Sequence, residues 1–195
     1  MKTTLAAAAI ILGATITAGC SDSGLSVTAS AATRDSGAGR VERGKYLVSM
    51  IGCSDCHTPF KMGPKGPEPD MERFLSGHPE QIGPLEAPKP SGLWLMATAA
   101  TNTAFAGPWG VSYTANLTPD QNTGLGIWTE EMFLKAIRTG RHMGVSREIL
   151  PPMPWPAFRN ATDEDLKSIY AYLRSIKPVA NHVPDAQLAP TPVAD

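Results

Sequence analysis

Cys53-Ser54-Asp55-Cys56-His57 is the stretch that decides the reading of this chain. It has the form C-x-x-C-H, the signature of covalent haem attachment. Two thiols three residues apart on a helical turn point the same way. They can add to the two vinyl groups on one edge of a porphyrin. The next residue, His57, is then delivered to the iron, and its other ring nitrogen should donate to a carbonyl that fixes the ring. A carbonyl in Pro64–Pro69 is the expected acceptor. Two other chemistries share the spacing. A redox dithiol favours a βαβ setting, which the sequence lacks. A structural zinc site wants four ligands, and the remaining histidines (His78, His142 and His182) are scattered.

A second axial ligand is the next requirement, and thioether sulfur suits electron transfer because it favours the reduced iron. The chain has 8 Met. Met50 and Met132 fall on helical apolar faces and read as core. Met62 and Met71 follow His57 closely, and Met96 lies in a stretch with strand character. Met153 sits in Leu150-Pro151-Pro152-Met153-Pro154-Trp155-Pro156, a stiff proline loop able to hold a weak ligand. Met153 is the favoured ligand, with Met143 and His142 as alternatives. Trp109, Tyr113, Asn116, Trp128, Arg141 and Trp155 are further candidates for lining the pocket or meeting the porphyrin's carboxylates.

Three helices frame this motif. One runs over Arg40–Met50. A second begins after Thr129 as N-cap and stops at Gly140. A third begins after Thr162, carries Leu166, Ile169, Tyr170, Leu173 and Ile176 on one stripe, and ends before Pro178. Eight of the 32 residues from Pro59 to Pro90 are proline, a density expected to bar helix and strand alike. Leu93–Thr98 and Val111–Ala115 have enough strand character for a small hairpin.

Gly and Pro number 18 each in 195 residues, about 18% together, against roughly 12% in average usage. Long turns and loops follow, within a globular composition. The formal net charge is −1, which offers no basic face for nucleic acid. No acid/base pair, nucleophile motif or phosphate loop suggests a small-molecule substrate. The three cysteines exclude a disulfide-dense scaffold.

The N-terminus reads as an address. Lys2 precedes an uncharged apolar run, Leu5–Ile16, of signal-peptide length and too short to span a bilayer. It ends in Thr17-Ala18-Gly19-Cys20, which resembles the cleavage site of bacterial lipoproteins. That resemblance implies a lipid on Cys20, a membrane tie and residence in the periplasm. Thr17 stands where Leu is usual, and Ala29-Ser30-Ala31 offers a rival cut for plain secretion. The expected organisation is a signal peptide over 1–19, a flexible tether over 20–39, one domain over 40–183 and a disordered tail over 184–195.

The chain resembles a class I c-type cytochrome, and more narrowly the bacterial monohaem modules related to cytochrome subunits of membrane dehydrogenases. The residues that carry this are Gly44-Lys45-Tyr46-Leu47, Cys53–Pro59, Asn116-Leu117-Thr118-Pro119-Asp120, Thr123–Thr129, Pro152-Met153-Pro154, and Thr162–Leu166 through Tyr170–Leu173. The resemblance implies an all-α fold wrapped around one covalent haem c, with His57 and Met153 on opposite faces of the iron. It also implies that the first and last helices cross. A one-electron carrier is expected, working with a redox partner protein such as a dehydrogenase or terminal oxidase. A haem enzyme or gas sensor with an open sixth site, and a zinc-binding module, are the rival functions.

Overall fold

The computed structural model describes residues 37–88 and 93–190. Cys20, the apolar run before it and most of the expected tether lie outside these residues. Helix α1 (Gly37–Met50) begins three residues before the expected start. It crosses helix α5 (Asp163–Ser175) at Gly44, where a Cβ would stand 1.9 Å from the Ser168 carbonyl oxygen. Only a glycine lets the two backbones approach so closely. Leu47 and Val48 of α1 pack with Leu166, Ile169 and Leu173 of α5 in the core. Met50 lies outside that core and is 59% exposed, because the buried stripe of α1 runs through Gly44, Leu47 and Val48.

The capping signals set the other helix ends. Thr129 Oγ1 accepts from the Met132 amide (3.1 Å) at the start of helix α3 (Glu130–Thr139). Gly140, at φ 67°, ends α3 by donating to the Ala136 carbonyl. Thr162 Oγ1 accepts from the Asp165 amide (3.1 Å) at the start of α5. Phe133, Ala136 and Ile137 turn the buried face of α3 inward, whereas Met132 is only half-buried.

The fold is not all-α. The described residues hold two antiparallel sheets, so the architecture mixes helix and strand. Strand β1 (Phe60–Gly63) pairs with β2 (Gly66–Pro69), inside the proline-dense stretch expected to exclude strands. The register explains this. Pro67 and Pro69 pair with Met62 and Phe60, while the ladder continues through Asp70 donating to the Pro59 carbonyl. Both prolines therefore alternate with the hydrogen-bonded pairs, and the missing N–H of each would point away from the partner strand. The second sheet has the order β3 (Ala97–Thr98), β4 (Ala104–Gly107), β5 (Gly110–Tyr113), β6 (Gln187–Leu188). Strand β6 lies in the stretch expected to be a disordered tail. It pairs with Gly110 and Val111, bringing the chain's last described residues back onto the sheet.

Candidate functional site

The Cys53–His57 motif forms a one-turn helix, α2, entered through Gly52 in a left-handed conformation (φ 73°). That turn puts Cys53, Cys56 and His57 on the wall of one cavity of about 670 Å³. The size falls within the roughly 300–1,000 Å³ of sites that bury a small organic ligand. Leu125, Phe133, Ile137 and Ile149 give it apolar walls.

His57 is buried (8% exposed), and its Nδ1–H donates to the Ala115 carbonyl at 2.8 Å. The expected acceptor in Pro64–Pro69 is not the one used. Those residues turn away into the β1–β2 hairpin, while the chain just after β5 (Gly110–Tyr113) passes behind the imidazole at Ala115. The bond fixes the tautomer and leaves Nε2 as the only ring nitrogen with a free lone pair. Burial also pushes the His57 pKa down, which keeps that lone pair available.

Met153 lines the same cavity. Its loop is pinned from β5, where Ser112 Oγ donates to the Pro151 carbonyl at 2.5 Å. At the far end of the loop, Trp155 opens the short helix α4 (Trp155–Phe158) and lies against Gly140, where a Cβ would come within 2.3 Å of its ring. Met143 and His142 also reach the cavity, and His142 packs edge-on against Trp128 with ring centroids 5.0 Å apart. Met62 and Met71 are exposed.

Of the weaker candidates, Tyr113, Asn116 and Trp128 line the cavity. Trp109, Arg141 and Trp155 are not among its lining residues. Asn116 is a loop organiser, donating to the Val179 carbonyl (2.8 Å) and accepting from Thr118. Three contributions escaped the sequence reading: the Ala115 carbonyl, Arg147 and the wall formed by His182–Ala186. A carbonyl leaves no mark in a sequence, and the last group depended on finding β6.

The site suits haem better than a redox dithiol. Burial, with a smaller contribution from Asp55, pushes the Cys53 thiol up to about 11 and raises Cys56 as well. A reactive dithiol needs the opposite shift, whereas a thioether needs no thiolate.

The cytochrome c family model matches residues 41–177. The chain belongs to the cytochrome c family. Membership makes it an electron-transfer cytochrome with covalently bound haem c. The cytochrome is 32% identical over 149 residues to the fructose dehydrogenase cytochrome subunit of Gluconobacter japonicus, covering 76% of this chain and 24% of that one. It is 32% identical over 149 residues to the cytochrome c subunit of the gluconate 2-dehydrogenase of Pantoea cypripedii, covering 76% and 26% respectively. It is 31% identical over 164 residues to the cytochrome c subunit of the quinone alcohol dehydrogenase of Komagataeibacter europaeus, covering 84% and 27%. The matched region thus spans about a quarter of the length of each of these relatives.

Proposed function

We propose that this cytochrome is a one-haem electron carrier that accepts electrons from a dehydrogenase at the outer face of a bacterial membrane. Haem c would be held by thioether bonds to Cys53 and Cys56, with His57 and Met153 as the axial ligands. When bound, the haem supplies the iron that cycles between its ferric and ferrous states. Everything else falls to the chain. The Ala115 carbonyl orients His57 and raises its basicity. Ser112 holds the Met153 loop in place, and the apolar wall excludes water. With both axial positions taken by side chains, no site would remain for oxygen or a substrate.

The observation that carries the single-haem reading is that Cys53–His57 is the only C-x-x-C-H in the 195 residues. A pyridine haemochrome assay against protein concentration tests it. One haem per chain is expected, and a different ratio, or no covalent haem, overturns it. Met143 and His142 are the specific competitors for the sixth position, since both line the same cavity.

The dehydrogenase partner rests on the names of the relatives, which include cytochrome subunits of fructose, gluconate and alcohol dehydrogenases. Periplasmic residence and a lipid on Cys20 rest on the Leu5–Ile16 run and the residues before Cys20. Lipidation would confine the carrier to a membrane surface and raise its effective concentration near a membrane-bound donor. Labelling with radioactive palmitate, compared with Cys20→Ser, tests the anchor; absence of lipid on the parent chain refutes it.

A further inference from the structure

A second buried histidine stands behind the haem-binding one. His78 is 0% exposed, and both of its ring nitrogens are engaged within the protein. Nε2–H donates to the Gly83 carbonyl at 3.0 Å, so the neutral ring accepts at Nδ1 from the Thr103 hydroxyl at 2.9 Å. His78 is thereby wedged between the loop that follows the hairpin and strand β4. The haem site described above makes no use of it.

Its backbone connects directly to the His57 arrangement. The His78 amide donates to the Thr114 carbonyl at 3.0 Å, one peptide before the carbonyl that holds His57 Nδ1. The preceding amide, Gly77, donates to the carbonyl of His57 itself at 2.8 Å. Gly77 has φ +79°, and a Cβ there would lie 2.4 Å from the Thr114 carbonyl oxygen and 2.7 Å from that of Ala115. Leu75, two residues earlier, is fully buried in a left-handed conformation (φ 59°), and its amide donates to Thr58 Oγ1. Left-handed non-glycine residues persist only where their surroundings over-determine them, and they concentrate at functional sites. Asn181 closes the arrangement by donating to the Ser76 and His78 carbonyls at 2.7 and 2.9 Å. The turn Leu75–His78 thus grips both ends of the His57–Ala115 hydrogen bond.

We infer that His78 is a positioning residue for His57: through Thr103 and Gly83 it locks the Leu75–His78 turn, which sets the Ala115 carbonyl that tunes the haem-binding imidazole. This rests on the reading of His57 as an axial ligand. It also gives the long Pro59–Gly110 segment a task, since both the turn and Thr103 belong to it.

The test uses the haem-loaded full chain and two readouts that a purely structural role would not move. They are solvent exchange of the His57 Nδ1 proton in the reduced protein, by NMR, and the midpoint potential. Thr103→Val removes only the hydroxyl that serves His78. It should speed exchange roughly fivefold, the effect expected from losing one neutral hydrogen bond behind the turn. It should also raise the potential, because a less basic imidazole stabilises the ferric iron less. His78→Ala should do the same more strongly. His78→Asn, whose amide oxygen can take the Thr103 bond, should recover part of the effect. If Thr103→Val and whichever His78 variants fold keep the parent's exchange rate and potential, His78 is packing alone and the inference fails. A parent protein whose spectrum lacks a histidine-bound low-spin iron would instead refute the ligand reading on which it rests.

Discussion

Gly44→Ala tests the crossing that holds the first and last helices around the site. A Cβ at position 44 would sit 1.9 Å from the Ser168 carbonyl oxygen, 2.6 Å from its carbon and 2.7 Å from Tyr172 Cβ. Two of these atoms are backbone in the middle of α5, so no rotamer change relieves the contact. The helices must separate by roughly 1.5 Å to restore ordinary van der Waals distance. That would loosen Leu47 and Val48 against Leu166, Ile169 and Leu173. Overpacking of this kind costs about 1–3 kcal/mol. Alanine recovers about 1 kcal/mol of helix propensity over glycine. Because the clash is with backbone, the upper part of the overpacking range applies, and the net loss should be about 2 kcal/mol. With a urea m-value of about 2 kcal/mol/M, the unfolding midpoint should fall by about 1 M at unchanged m. The assay is urea unfolding of the haem-loaded protein followed by far-UV circular dichroism. A midpoint equal to or above the parent's would mean that helix propensity outweighs the crossing, and the packing argument would be wrong.

Three further outcomes follow from named contacts. Ser112→Ala removes the hydroxyl that pins the Met153 loop to β5; at about 1 kcal/mol for one hydrogen bond, the ferric protein should bind cyanide roughly fivefold more tightly, and an unchanged affinity refutes the tether. Thr162→Ala removes the α5 cap and should cost about 1 kcal/mol in urea unfolding, with no loss meaning that the Thr162 hydroxyl contributes nothing there. Burial holds the His78 pKa below the ordinary histidine value, so the unfolded chain takes up this proton first on acidification. Its contribution to stability is therefore complete above about pH 6.5 and falls as the pH drops towards the folded value, by at most about 1.4 kcal/mol per pH unit. His78→Gln should remove that slope, and an identical pH profile in the variant would refute the assignment.

Local chemistry was the legible part of the sequence. Thr129, Gly140 and Thr162 bound their helices because capping is decided within four residues. The spacing of Cys53, Cys56 and His57 was enough to place all three on one wall, since a single helical turn fixes it. What escaped depended on register or on distant backbone. Proline density in Pro59–Pro90 argues against strands, yet Pro67 and Pro69 fall where a ladder needs no N–H. The all-α expectation fails there and again at β6, where two residues of an apparent tail complete a sheet. Met50 stays outside the core because α1 buries a narrow stripe centred on Gly44, and glycine does not register as apolar in a periodicity count. The carbonyl behind His57 belongs to Ala115, 58 residues away, and only the folded topology brings it there.

The ferric absorption spectrum of the parent cytochrome and of Met153→Ala is the most direct test of the central claim, that His57 and Met153 close both axial positions of a single haem. The parent should be low-spin with a long-wavelength methionine–iron charge-transfer band, and Met153→Ala should lose that band while keeping its covalent haem. A high-spin parent, or a band that survives in the variant, would contradict the account.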